Sequence, residues 1–120
     1  MITAALPYAN GPLHLGHLAG VYISADVYAR FLRSNNEDVA FICGSDEHGA
    51  AITLRAKKEG KTPKEIVDVY HQNNKGVFEQ LGISFDYYDR TSAEHHHKTA
   101  QELFLAVSYT HLRAHETRPN

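Results

Sequence analysis

Two short apolar runs on either side of one long helical pattern constrain the fold of this chain most. The first run, residues 2–6, ends at Pro7, and the second, residues 39–43, ends at Gly44. The second run does not alternate apolar with polar residues, which is typical of a strand covered on both faces in a parallel sheet. The sequence therefore predicts two parallel strands joined by a helix, with a right-handed crossover.

The helical pattern between the runs starts at residue 15. Its apolar residues recur at spacings of three and four, so they share one helix face. These residues are Leu15, Leu18, Tyr22, Ala25, Ala29 and Leu32. The pattern predicts one amphipathic helix that ends at residues 34–36.

Further helices follow the second run. Residues 50–58 favour a helix closed by Gly60. Thr62, Pro63 and Glu65 then match the cap, the first helical position and the returning acid of a capping box. The buried stripe predicted for this second helix is Ile66, Tyr70, Val77 and Leu81.

A short strand over residues 83–88 and one more helix complete the pattern. Thr91 or Ser92 is expected to cap that last helix. Its first turn reads Glu-His-His-His over residues 94–97. Adjacent histidines on a helix point in different directions, whereas a zinc site needs three or four converging ligands, so no metal site is expected.

Composition excludes several classes of function. The net charge of −2 gives no basic surface that would hold nucleic acid by bulk charge. The one cysteine, Cys43, cannot form an internal disulfide or a cysteine-based zinc site. No apolar stretch approaches the roughly 18 residues of a membrane span, and the start lacks the regions of a signal peptide. The cytoplasm is the expected compartment, with no membrane partner.

Polar segments follow both predicted strands. Residues 7–17 follow the first strand, and residues 44–49 follow the second. The carboxyl ends of parallel strands meet at one edge of a sheet, and ligands bind along that edge. The sequence therefore predicts a site where these two segments come together.

The first polar segment carries two histidines three residues apart. His14 and His17 would share one face of a first helical turn, beside unpaired backbone N–H groups and the positive end of the helix dipole. Such a position suits a phosphate group, and Gly16 would let a flat base approach the backbone. Two surface histidines without a function are the alternative interpretation. The second segment could likewise be an ordinary polar loop in which Asp46 caps the next helix.

Two ordered strings resemble one known family. Residues 14–17, His-Leu-Gly-His, resemble the HIGH motif of class I aminoacyl-tRNA synthetases. The longer string ALPYANGPLHLGH, residues 5–17, and the string FICGSDEHG, residues 41–49, are similar to the methionyl type in particular. Leucyl, isoleucyl and valyl enzymes share a related first loop but usually differ in the second. The resemblance covers residues 2–105.

The resemblance implies an α/β fold: a Rossmann-like (HUP-type) parallel sheet with flanking helices. Residues 1–107 would be the incomplete first half of a class I synthetase catalytic domain, and residues 108–120 are expected to be a non-native tail. The implied activity is ATP-dependent activation of methionine and its attachment to tRNA(Met), with Mg²⁺ accompanying ATP.

The resemblance also implies roles for individual residues. His14 and His17 would be catalytic and would stabilise charge on the phosphates. Methionine would be bound by Leu6, Tyr8 and Asp46, with Asp46 holding the ammonium group. ATP would be bound by Asn10, Gly11, His14, Gly16 and His17. Glu47 and His48 complete the second string without an assigned role.

Parts of the family pattern are absent from these 120 residues. They include the KMSKS loop, the cysteines of the zinc-binding insertion and the helical domain that reads the anticodon. Because catalysis needs all groups positioned together, the polypeptide alone is expected to be inactive. The alternatives are a leucyl-type or other nucleotidyl-transferring enzyme of the same fold, and a non-catalytic module that binds adenosine phosphates.

Overall fold

The computed structural model of the protein describes residues 1–112. Its elements are β1 (Ile2–Thr3), α1 (Leu15–His17), a π-helical turn (Leu18–Tyr22), α2 (Ile23–Ser34), β2 (Phe41–Ser45), α3 (Ala50–Glu59), α4 (Pro63–Gln80), β3 (Tyr87–Arg90), α5 (Glu94–Val107) and a second π-helical turn (Ser108–Leu112). Most of the proposed tail, residues 108–120, lies outside the described residues, and its assignment stays a prediction.

The three strands form one parallel sheet in the order β1-β2-β3. Ile2 pairs with Phe41, and Ile42 pairs with Tyr87. The prediction of a parallel sheet with flanking helices is confirmed. β1 is shorter than the predicted run, and Pro7, which has no N–H to donate, lies where the ladder is interrupted.

The prediction that Gly44 ends the second strand is wrong. β2 continues through Gly44, and a Cβ at this position would lie 3.0 Å from the carbonyl oxygen of Asp89. The absence of a side chain therefore lets β3 approach β2 closely. β3 itself starts later than predicted, because Ser84 is bonded to Asp26 of α2: the Ser84 N–H donates to Asp26 Oδ1 at 2.6 Å.

The predicted face of the first helix is only partly buried. Tyr22 and Ala29 are buried, but Leu15 is 82% exposed, and Asp26 is buried instead. The π-helical turn explains the change, because its wider turn shifts the residues before it around the axis relative to those after it. The helix therefore begins out of register with the stripe that packs on the sheet.

The helix signals around α3 and α4 are confirmed. Gly60 ends α3 with a φ of 64°, and Thr62 and Glu65 form the reciprocal capping box of α4. The predicted stripe of α4 is wrong in part, since Leu81 is 48% exposed. The buried residues of α4 are Ile66, Val67, His71, Asn74 and Phe78.

The last helix is not capped by a hydroxyl side chain. α5 begins after Ala93, and neither Thr91 nor Ser92 caps it. Both hydroxyls instead bond Glu47: Thr91 Oγ1 accepts from the Glu47 N–H at 2.9 Å, and Ser92 donates to the Glu47 carboxylate. The prediction of a hydroxyl cap is therefore wrong, because these side chains serve a tertiary contact.

Two apolar clusters hold the elements together. The first fills one face of the sheet and contains Ala4, Tyr22, Ala29, Phe41 and Phe78. The second lies between the loop after β1 and helices α3 and α4, and contains Ala9, Ile52, Ala56, Ile66 and Val67. Ala9 is fully buried, so this second cluster anchors the loop that follows β1. None of the helices within residues 1–112 combines the length and apolar character needed to cross a bilayer.

Candidate active site

The two polar segments pair with each other at the carboxyl edge of the sheet. Tyr8 and Asp46 form an isolated parallel bridge. The Asp46 N–H donates to the Pro7 carbonyl at 2.9 Å, and the Ala9 N–H donates to the Asp46 carbonyl at 2.8 Å. The first loop therefore extends the sheet beyond β1, and the expected meeting of the two segments is present in the structure.

His14 and His17 cap the first helical turn reciprocally. The His14 N–H donates to His17 Nδ1 at 3.3 Å, and the His17 N–H donates to His14 Nδ1 at 3.4 Å. Their rings stack with centroids 3.6 Å apart. Because each Nδ1 accepts a hydrogen bond, each neutral ring carries its proton on Nε2. Both Nε2–H groups are therefore donors for a ligand outside the helix.

Gly16 leaves room for this pair. A Cβ on Gly16 would lie 3.1 Å from two atoms of the His14 ring. Contacts that short are tighter than most, so the ring would have to shift. The lack of a side chain at Gly16 therefore allows His14 to keep this position. The sequence also predicts that Gly16 lets a flat base approach the backbone.

The first loop encloses a small cavity of about 110 Å³. It is lined by Pro7, Tyr8, Asn10, Gly11, Pro12, Leu13 and His17. Arg55 of α3 supports the loop from outside: its guanidinium donates to the Asn10 carbonyl and lies 4.7 Å from the centroid of the Tyr70 ring. Three of the predicted ATP-binding residues and the predicted pocket wall Tyr8 therefore share one cavity.

Tyr8 also fixes the second segment through Gly49. The φ of Gly49 is 132°, a region that residues with side chains rarely adopt. A Cβ at Gly49 would lie 2.5 Å from the Tyr8 hydroxyl oxygen. Only glycine satisfies both conditions, so the lack of a side chain at Gly49 allows the Tyr8 hydroxyl to pack against the backbone there.

Asp46, in the same turn, is half-buried. Its Oδ1 accepts from the His48 N–H at 3.4 Å. The residue before α3 is Gly49, and no side chain caps that helix. The alternative that Asp46 serves as a helix cap is therefore wrong.

Glu47 lies inside the protein. Its side chain is fully buried, and both carboxylate oxygens accept from Arg90 Nε, at 3.0 and 2.8 Å. Arg90 Nη2 also donates to Asp68 Oδ1 at 2.6 Å. Glu47 therefore connects the turn after β2 to the end of β3 and, through Arg90, to α4. No role was predicted for Glu47, because its partner lies 43 residues away in the sequence.

A second buried group lies under the same turn. Ser45 Oγ is 2.9 Å from His71 Nδ1 and 2.8 Å from the Tyr88 hydroxyl oxygen. Burial, with the charge of Arg90 as the next cause, lowers the pKa of His71 below its ordinary value. Burial raises the pKa of Tyr88 to about 12. Both rings are therefore neutral near pH ~7, and His71, which has no visible partner in the sequence, belongs to this network.

His48 is exposed at the rim of the site. Its Nε2 lies 3.4 Å from Nε2 of His97 and 3.3 Å from the Thr91 carbonyl oxygen. His95 pairs instead with Asp89 at 2.8 Å. Among the residues that the structure describes, no three or more His, Cys, Asp or Glu side chains are arranged to hold a metal ion.

Not all predicted residues share one pocket. Leu6 is 49% exposed and lies in a separate apolar groove of about 230 Å³, formed with Ile42, Gly44 and Tyr87. Neither His14 nor Asp46 lines that groove or the cavity of the first loop. The structure thus brings the two segments together but keeps Leu6 apart from Tyr8.

Solved structures share this architecture. A crystal structure of the Mycobacterium tuberculosis methionyl-tRNA synthetase, bound by methionyl-adenylate, matches with a TM-score of 0.86 and 34% sequence identity. The match covers 90% of this chain and 21% of that one. The fold is accordingly that of a tRNA synthetase.

The family is shown by sequence. The profile described as "tRNA synthetases class I (M)" matches residues 1–117, and the chain belongs to this family. The methionine--tRNA ligase of Cytophaga hutchinsonii is 66% identical over 103 residues, which are 86% of this chain. That of Chlorobium phaeovibrioides is 62% identical over 107 residues, or 89% of this chain. The chain spans about 15% of the length of these relatives.

Proposed function

We propose that this chain forms the methionine- and ATP-binding start of a methionine--tRNA ligase. The observation that carries the proposal is the backbone pairing of Tyr8 with Asp46, which unites the histidine loop and the acidic turn at one sheet edge. Support comes from the similar ligases and from the similar synthetase that binds methionyl-adenylate. As part of a complete enzyme, it would activate methionine and serve its attachment to tRNA(Met).

The first step joins methionine to adenylate. A carboxylate oxygen of methionine attacks the α-phosphorus of ATP, the bond from that phosphorus to the β-phosphate bridge breaks, and pyrophosphate leaves. Negative charge grows on the phosphate oxygens during this step. His14 and His17 would donate their Nε2–H groups to those oxygens and stabilise the charge. Because the Nδ1 atoms are held by the backbone, the donors keep a fixed orientation.

The remaining residues would bind the substrates. Asp46 would hold the ammonium of methionine in a charge-assisted pair, and Tyr8 would contact the thioether with its aromatic face. Leu6 is proposed for the same pocket, although it needs a shift or a further wall to reach Tyr8. Asn10, Gly11 and Gly16 would line the side of ATP.

Metals enter this proposal only with the substrate. Mg²⁺ would arrive bound to the phosphates of ATP. The described residues do not fit a protein-held zinc ion, because no three ligating side chains converge and the chain has one cysteine. No step is assigned to zinc. The cytoplasm remains the expected compartment.

The decisive test is a chimeric enzyme. The 103 matching residues replace the corresponding segment of the Cytophaga hutchinsonii ligase, and methionine-dependent exchange of pyrophosphate into ATP is measured. We expect exchange by the chimera and none by the 120-residue polypeptide alone. His14→Asn and His17→Asn should each lower kcat by about 10²–10³.

Two results would contradict the proposal. An inactive chimera that folds and binds ATP would favour a module that binds adenosine phosphates without catalysis. A chimera that activates leucine instead of methionine would show that the segment comes from a leucyl-type enzyme of the same class. Exchange by the isolated polypeptide would contradict only the expectation that it is incomplete.

A further inference from the structure

Asp46 stands between two residues that are both buried and both bonded to distant parts of the chain. Ser45 is fully buried, and Glu47 is 5% exposed. The hydroxyl of Ser45 bonds His71 and Tyr88, and the carboxylate of Glu47 bonds Arg90 and Ser92. A residue whose two neighbours are fixed in this way has little freedom to move.

The Arg90 guanidinium joins three elements at this point. It lies at the end of β3 and bonds Glu47 after β2 and Asp68 on α4 at the same time. The planar fork of arginine can hold two carboxylates in fixed directions, whereas a lysine ammonium cannot reproduce that geometry. His71 Nδ1 also lies 3.7 Å from Glu47 Oε1, so the group that holds Ser45 is in contact with the group that holds Glu47.

We propose that Arg90 and His71 are positioning residues for the ammonium site, which hold Asp46 in place through Glu47 and Ser45. The proposal rests on the proposed function of Asp46. It assigns work to four residues outside the set predicted to bind a substrate or to act in catalysis: Ser45, Glu47, His71 and Arg90. The Asp46 backbone is also paired with the first loop, so it is held from both sides.

The consequence is a loss that depends on the ligand. A carboxylate displaced by about 1 Å loses much of its directed interaction with an ammonium group. A ligand that lacks the ammonium has nothing to lose at that place. Methionine and 4-(methylthio)butanoate, which is methionine without its amino group, therefore separate positioning of Asp46 from general damage to the pocket.

The test uses the chimeric ligase and measures the Kd of both ligands by calorimetry. Arg90→Lys should weaken methionine about tenfold and leave the affinity for 4-(methylthio)butanoate unchanged. Ser45→Ala tests the other anchor and should act in the same direction. Arg33→Lys is the matched control, because Arg33, like Arg90, bonds a carboxylate across the fold, that of Asp86, but at the other end of the sheet. It should change neither affinity.

Each outcome decides the proposal. Equal loss of both ligands, no loss of either, or the same selective loss in Arg33→Lys would overturn it. Asp46→Asn separates the two proposals: if Asp46→Asn loses methionine selectively and Arg90→Lys does not, only the positioning inference fails. If Asp46→Asn shows no selective loss, the ammonium assignment fails first and the inference with it.

A folding defect has its own safeguard. Thermal unfolding of each variant shows whether it folds. Should Arg90→Lys not fold, Glu47→Gln carries the test, because it keeps the shape of Glu47 while weakening its bond to Arg90. Selective loss of methionine affinity in Glu47→Gln supports the proposal, and its absence overturns it.

Discussion

The two segments that meet at the sheet edge are held in place by different forces. The turn at residues 45–49 is fixed from inside, by the buried carboxylate of Glu47 on Arg90 and by Ser45 on His71. The loop at residues 7–17 is fixed by backbone pairing, by one exposed histidine pair and by Arg55 from outside. The acidic half of the site is therefore held by a buried carboxylate, whereas the histidine half is held by the buried apolar contact of Ala9 and by a histidine pair that solvent reaches.

The largest expected effect comes from removing Arg90, the cation that pairs with the buried carboxylate of Glu47. Arg90→Met leaves the carboxylate of Glu47 buried without its charge partner, which should lower the free energy of unfolding by about 3–5 kcal/mol. Urea unfolding of the 120-residue polypeptide measures the loss. The same change at Arg55, whose bond with Glu59 is exposed, should cost much less, because both charges stay solvated.

A double variant sharpens this contrast. Glu47→Gln combined with Arg90→Met removes both charges, so no buried ion is left alone, and most of the stability should return. Equal losses at Arg90 and Arg55, or no recovery in the double variant, would show that the two segments are not held differently.

The next effect lies where the segments touch. Gly49→Ala forces a side chain into a φ of 132° and against the Tyr8 hydroxyl, and should cost about 1–3 kcal/mol. Tyr8→Phe in the same chain removes the oxygen that a Cβ would meet and should recover part of that cost. Gly76→Ala is the control: a Cβ there meets nothing within 4 Å, and it should stabilise α4 by about 0.5–1 kcal/mol.

Recovery by Tyr8→Phe is the informative outcome. It would show that Gly49 and Tyr8 act on each other rather than through separate backbone strain. A Gly49→Ala variant as stable as the parent would mean that the two segments adjust freely at their contact.

The fold could be predicted where its causes are local in sequence. The continuous apolar run before Gly44 indicated a parallel strand, and Thr62 with Glu65 indicated the start of α4, because these patterns arise from neighbouring residues. The shift of Leu15 to the surface could not be read in this way. It follows from a π-helical turn at Leu18–Tyr22, which the apolar periodicity does not indicate.

The site divides along the same line. The meeting of residues 7–17 with residues 44–49 follows from parallel topology alone, and could be predicted. The partners of Glu47 and His71 could not, because Arg90 lies 43 residues from Glu47, Ser45 lies 26 residues from His71, and no spacing rule connects them. One general signal remains. Where a glutamate is buried, a charged partner is expected beside it, because an unpaired buried charge is costly.

A smaller effect should follow from the exposed histidine pair. His14→Ala removes the side-chain cap of the first helical turn and should cost about 1 kcal/mol in the free energy of unfolding. His14→Asn keeps a capping oxygen and should restore the stability while removing the ring donor. Urea unfolding of both variants measures what His14 contributes to stability, separately from its proposed interaction with phosphate. A loss above that of Arg90→Met would reverse the order of the two segments.

The smallest expected effect is a pH dependence of the free energy of unfolding, which arises from His71 beneath the turn at residues 45–49. Because burial lowers the pKa of His71 below 6.5, the unfolded chain binds its proton more readily than the folded chain does. The stabilisation is complete above pH 6.5 and is lost as the pH falls from there through the lower folded pKa. His71→Asn keeps a group near Ser45 but cannot titrate, so the difference in free energy of unfolding between the parent and this variant isolates His71. That difference should shift against the parent only below pH 6.5. A shift in the parent's favour would mean that the protonated ring pairs with Glu47, and that this segment gains its order from charge rather than from a neutral buried network.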